Sequence, residues 1–262
     1  VTSFVEMFDA LKPKYEAAKA KAKKESTSEL KKGVGISIGI YGCGLDGADS
    51  SEVYIELTKE GVTAYASWED HGQGADMGLL GTAHTALLPL KIDPSKIKLV
   101  MNDTAITPNS GPSGGSRQQV VTGNAIKAGC DLLLAAMRKK DGTYRTYDEM
   151  VAEKIPLRYS GKWTASMCSN CDANGQGKPF SNYMYGVFMA EITVNTKTGK
   201  TKVDKMTCMA DIGKINNRLV VDGQMYGGIA QGIGLALSED FEDIEKHSNM
   251  MGAGIPYAND IP

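Results

Sequence analysis

No charge of one sign dominates this chain: 29 Lys and Arg stand against 31 Asp and Glu, a formal net charge of −2. Binding to nucleic-acid phosphates rests on a basic excess, so no nucleic-acid partner is expected. Long hydrophobic runs are also missing. A membrane-spanning helix needs about 18 to 20 apolar residues in succession, and with no such run no membrane span is expected. The opening residues VTSFVEMFDALKPKYEAAK lack a basic stretch followed by an apolar one, so they are no secretory signal. Cysteine is sparse and odd in number, five in all. Cys168 and Cys171 form a lone CxxC, and a zinc ribbon or iron–sulfur site needs more thiolates at matched spacing. Reduced thiols in a cytoplasmic protein are the expectation. His71, His84 and His247 show no HExxH-type spacing, and no GxSxG nucleophile elbow occurs. No carboxylate pair stands out as acid and base. The chain starts on valine, as if cut from something longer.

What the sequence has in plenty is glycine, thirty of 262 residues, against a usual share of roughly 7%. The glycines have no period, which excludes collagen. They cluster in loops between apolar runs, where the backbone must turn tightly or approach a ligand closely. Apolar spacing predicts a helix over 3–24, interrupted at Pro13, and a polar connector over 25–33. Strands are predicted over 33–42, 51–57, 61–68 and KIKLVMND, the second and third joined by a short Lys-Glu-Gly turn. A helix near 76–88 follows, then a long loop, a strong helix from Gln118, and a short helix at RTYDEMVAEK. Residues 161–182 read as irregular. Two strands around TKTGK and a helix from Asp222 complete the pattern.

Residues 51–88 and 185–240 run alike: strand, tight turn, strand, glycine-bearing loop, helix. The fold class expected is α+β, two related lobes of β-hairpin sheets each packed with helices. The expected divisions are an N-terminal helix and connector at 1–32, a first cofactor-binding lobe at 33–150, and a second lobe at 151–262. GCGLDG, 42–47, matches GxGxxG, but a strand rather than a helix is predicted after it, which excludes a dinucleotide fold. GQGKP, 175–179, lacks the first glycine of a P-loop.

Two glycine loops stand apart. In WEDHGQGAD the glycines strip away side-chain bulk, so a ligand can meet the amides directly. His71 and Gln73 offer polar tips beside a helix start, where the dipole favours negative charge. In SGPSGGSRQQ, exposed amides, hydroxyls and the Arg117 guanidinium at a helix start form an anion cradle. Gly223-Gln224 precedes a third helix. Together these starts point to one extended polar ligand with anionic groups. A capped helix with nothing bound explains each of them equally from composition alone.

WEDHGQGAD, NSGPSGGSRQQVVTGNAI, YMYGVFMAEITV and GQMYGGIAQGIGLALSEDFEDI resemble, in order and at length, the molybdenum hydroxylases of the xanthine oxidase family, above all its bacterial aldehyde oxidoreductases. The resemblance implies a pterin dinucleotide cofactor with molybdenum, in the cytosine dinucleotide form usual in bacterial members. It implies cofactor roles for His71, Gly72, Gln73, Gly74 and Gln224. It implies that Ser113, Gly114, Gly115, Ser116, Arg117 and Gln118 hold the cofactor's phosphates and terminal nucleotide. The implied chemistry is oxidation of an aldehyde to a carboxylic acid using water, with a glutamate as general base. The alternatives are a purine dehydrogenase of the same family and a non-catalytic accessory subunit of that ancestry. The family's glutamate motif is expected beyond residue 262, so no catalytic residue and no metal ligand is assigned within the chain. The expected partners are the remaining molybdenum-domain segments, iron–sulfur domains, an aldehyde substrate and a second copy of the protein. An isolated chain of these residues is expected to show no turnover.

Overall fold

A computed structural model describes residues 3–262. Val1 and Thr2, which open the segment assigned above to the N-terminal helix and connector, lie outside the described residues. The fold is mixed α+β, with two sheets, each with helices packed on it. Two compact units share the chain, and they are interleaved rather than sequential.

One unit takes the residues up to Tyr41, then Met184–Gly213 and Val221–Pro262. Helix α1 (Phe4–Glu25) buries Met7, Leu11 and Ala18, and these pack with Val187 and Met189. The spacing of four and seven puts all three on one helix face. Pro13 does not interrupt α1. It lies on the exposed side, so water can satisfy the carbonyl that its missing N–H leaves free. The sheet runs β1 (Leu30–Cys43), β6 (Asn182–Asn195), β7 (Thr201–Asp211). Strand β1 begins inside the stretch expected as a connector, because Lys32 is tied by its backbone to Ser26 and by its side chain to Thr193 and Asp204. Strands β6 and β7 are antiparallel around a turn closed by Gly199 at φ +73°. Helix α5 (Arg218–Leu237) belongs to this unit from Val221 onward.

The other unit spans Gly42–Tyr183 and Lys214–Val220. Its sheet has the order β4 (Ile97–Met101), β3 (Val62–Ala66), β2 (Ser50–Leu57), β5 (Arg158–Thr164). Strand β2 alternates strictly, sending Val53, Ile55 and Leu57 into the core. Helices α2 (Ala75–Ala86) and α3 (Gly123–Met137) supply Leu79, Ala83, Ile126, Cys130 and Leu133 to the same cluster. The β2–β3 turn ends on Gly61, where a Cβ would stand 2.0 Å from the Lys96 carbonyl oxygen, so no larger residue fits. The short helix α4 (Tyr147–Ala152) carries a capping box between Thr146 and Glu149. Gln118–Met137 is long and apolar enough by composition to pass for a membrane span, but half of it is buried in the fold as the unit's core helix.

Strand β5 falls in and before the stretch read as irregular. Its inward residues are Tyr159, Gly161 and Trp163, opposite Ile55, Val53 and Ser51. Gly161 sits against Gly129 of α3, so the centre of the strand's apolar face has no side chain to betray it. The repeated order of strand, turn, strand, loop and helix is present in both units, as β2–β3–α2 and as β6–β7–α5. The boundaries expected at 32 and 150 cut across both sheets: β1 pairs with β6, and β2 with β5.

Candidate functional site: two glycine loops clasped together

The first loop leaves β3 at Trp68, whose side chain is fully buried. The indole N–H donates to the Asp76 carboxylate at 3.0 Å, and the Asn102 side-chain amide donates to the Trp68 carbonyl at 2.5 Å. The loop is therefore tethered at both ends. Gly72 and Gly74 turn it with φ of +104° and +83°, values that disfavour any residue with a Cβ. Open space lies beside Gly72, while a Cβ on Gly74 would meet Val220 at 2.8 Å.

The amides of this loop are not left bare as expected. The Asp70 carboxylate accepts from the N–H groups of Gly72, Gly74 and Asp76 at 2.8, 3.2 and 3.0 Å. Asp70 thus acts as the anion at the start of α2, which has no N-cap side chain of its own. These bonds, that from Asp76 foremost, hold the Asp70 carboxyl below the usual range. Gln73 is also turned inward: its side chain donates to the Glu69 carbonyl at 2.9 Å and accepts from the His71 amide at 2.5 Å. Five short-range hydrogen bonds thus fix the path of residues 69–76 and leave His71 exposed.

The second loop is joined to the first by one residue pair. The Ser113 amide donates to the Glu69 carboxylate at 2.8 Å, and the Ser113 hydroxyl donates to the Glu69 carbonyl at 2.7 Å. The same hydroxyl accepts from the Glu69 amide at 2.8 Å. The Ser113 backbone, then its hydroxyl, keep the Glu69 carboxyl below its ordinary value. Behind this clasp runs a buried polar chain. The Gln118 amide donates to Ser113 at 2.7 Å, Thr122 donates to Gln118 at 3.0 Å, and Ser51, whose hydroxyl oxygen lies 3.1 Å from that of Thr122, donates to the Ser110 carbonyl at 2.9 Å. Gln118–Thr122 is a turn of π-helix, a local irregularity that recurs at functional sites.

Arg117 departs from expectation. It was read as an exposed guanidinium for an anion, yet only 1% of it is exposed. Its Nε–H donates to both Asp49 oxygens at 2.9 Å, one terminal nitrogen donates to the Ser110 and Pro112 carbonyls at 2.7 and 3.3 Å, and the other donates to the Ser50 carbonyl. The guanidinium lies inside the loop and works as its frame.

Ligand-facing capacity lies instead at Gly114, Gly115 and Ser116. Their three successive amides have no acceptor among the described residues. Gly115 and Ser116 both adopt left-handed backbone, φ +54° and +61°, and nothing stands within 4 Å of a Cβ on Gly114. Consecutive amides in such a conformation form a concavity that favours an anion, and the helix that follows adds partial positive charge. The donor set suits a phosphate group. Gln224 lies on α5, in the other unit. Glu69 and Asp49 escaped the sequence reading. Glu69 adjoins the first motif, but Asp49 is 68 positions from its partner and carried no local signal.

Comparison with known proteins identifies the family. Residues 10–262 match the family described as molybdopterin cofactor-binding domain. The whole chain is 60% identical to an aldehyde oxidoreductase of Megalodesulfovibrio gigas, and it spans 29% of that protein's length. The solved structure of aldehyde oxidoreductase from Desulfovibrio gigas superposes with a TM-score of 0.98 over the full chain, again covering 29% of that structure. A Cu,Mo-containing CO dehydrogenase shares the fold at a TM-score of 0.75 with 17% identity, over 99% of this chain and 36% of its own. By sequence and fold, the chain belongs to the molybdopterin cofactor-binding domains of the xanthine oxidase family.

Proposed function

We propose that these residues form part of the cofactor floor of an enzyme that oxidises aldehydes to carboxylic acids with water. In this reading Gly114, Gly115 and Ser116 receive a phosphate of a molybdopterin cofactor in its cytosine dinucleotide form. The loop His71–Gly74 lines the pterin side, with Gly72 giving it room. When bound, the molybdenum centre supplies the two-electron oxidation, and the electrons leave through iron–sulfur domains. What this chain supplies is placement. Ser113 and Gln118 hold the phosphate loop against Glu69, and Asp70 and Gln73 fix the pterin loop so that neither must reorganise on binding.

The observation that carries the reading is the Glu69–Ser113 clasp, which sets two glycine loops side by side while three adjacent amides face no acceptor among the described residues. The test is elemental and pterin analysis of the complete polypeptide carrying this chain, expressed with molybdate, followed by aldehyde oxidation with a dye acceptor. One molybdenum and one cytidine nucleotide per chain, with steady turnover, support the proposal. A folded polypeptide that carries no pterin and oxidises no aldehyde refutes it. The 262-residue chain alone is expected to show no turnover.

A further inference from the structure

The phosphate loop is built around a buried ion pair whose two members lie 68 positions apart in sequence. Peptide planarity links each carbonyl to the amide that follows it, pointing the opposite way. Three carbonyls of the loop are drawn inward. Pro112 is held by the Arg117 guanidinium, Gly114 by the Arg117 amide at 2.8 Å, and Gly115 by the Gly44 amide at 2.7 Å. The following amides, on Ser113, Gly115 and Ser116, are thereby turned outward. Ser113 meets Glu69, and the other two meet no acceptor among the described residues.

Asp49 holds the frame in turn. It takes the Arg117 Nε–H with both oxygens, and one of those oxygens also accepts from the Leu45 amide at 3.1 Å. The turn that presents Gly44 to Gly115 is thus fixed by the same carboxylate. Gly111 closes the ring: with φ +80°, a Cβ there would stand 2.4 Å from the guanidinium.

We propose that Asp49 and Arg117 are positioning residues for ligand binding, acting through the loop they frame and touching no ligand themselves. This inference rests on the functional reading above, since it assumes that Gly114–Ser116 bind a phosphate of the cofactor. Lysine at 117 keeps the charge but cannot reach Asp49, Ser110, Pro112 and Ser50 together from one ammonium.

The experiment uses the complete polypeptide, stripped of cofactor, titrated with inorganic pyrophosphate by calorimetry. Wild type, Asp49→Asn and Arg117→Lys are compared, with the folded fraction fixed by circular dichroism. Each variant is expected to weaken pyrophosphate about tenfold or more per folded molecule, the scale of losing one charge-assisted hydrogen bond's worth of alignment. In the cofactor-loaded protein, molybdenum content per folded chain falls in both variants. Variants that bind pyrophosphate as wild type does, or that keep full molybdenum content, overturn the inference. If Asp49→Asn does not fold, Arg117→Lys decides alone, because it retains the pairing with Asp49. Wild type that binds neither pyrophosphate nor cofactor counts against the functional reading instead.

Discussion

Replacing Ser113 with alanine removes one hydroxyl that serves three hydrogen bonds. Two of them, to the Glu69 backbone, lie at an exposed edge, where water can substitute. The third comes from Gln118, which is only 7% exposed, and its amide donor has no other partner among the described residues. An unsatisfied buried donor costs ~1–3 kcal/mol, and an exposed hydrogen bond contributes less than half of that. A local loss of about 2 kcal/mol is expected, which at ~1.4 kcal/mol per decade is a roughly 25-fold change in an opening equilibrium. The assay is native-state hydrogen exchange of the Ser110 and Arg117 amides, which bond to the Ser67 hydroxyl and the Gly114 carbonyl within this loop. Both should exchange roughly 25-fold faster in S113A, with Val187 and Met189 of β6 unchanged. Acceleration below about threefold, under ~0.7 kcal/mol, would show that the clasp does not hold the loop.

Other outcomes follow from particular contacts. Gly161→Ala would place a Cβ 2.2 Å from the Ala125 carbonyl oxygen and 2.4 Å from the Gly129 nitrogen. Such overpacking of helix on strand should cost about 1–3 kcal/mol, seen as a lower denaturation midpoint with the same slope. Asp70 and Glu69 are both held below their ordinary values, so their contribution to loop order is complete above the unfolded-state value. That contribution is lost as pH falls through the depressed one. Carboxyl NMR of these two residues should therefore show titration below the usual carboxylate range, with loop amides loosening in the same window; titration at ordinary values would remove the argument. Cys130 is buried, and desolvation, with Asp131 adding to it, pushes its thiol up to about 12. Iodoacetamide should label exposed Cys171 first and Cys130 only on unfolding; early labelling of Cys130 contradicts the packing of α3.

Much of this was legible because periodicity and turns were locally written. The alternation in SEVYIEL and the helix after HGQGAD appear where residue pattern puts them. The repeated order of β2–β3–α2 and β6–β7–α5 was readable for the same reason. Strand β5 was hidden because Gly161, the residue nearest the helix, has no side chain to mark the apolar face. Arg117 was misread because a guanidinium at a helix start looks alike whether it faces solvent or Asp49, and only the fold brings position 49 to it. Gln73 and Asp70 bond to their own loop's backbone, and those bonds follow from turn geometry that composition does not encode. The two sheets each recruit strands from both sides of residue 150, and long-range pairing of that kind has no local signature.

The most direct test of the central claim is hydrogen–deuterium exchange of the complete polypeptide with and without its cofactor. Protection should appear on loading at Gly114, Gly115 and Ser116, where amides lack an internal acceptor, and in the loop around Gly72. Unchanged exchange at those three amides, with protection confined to other segments, would contradict the assignment.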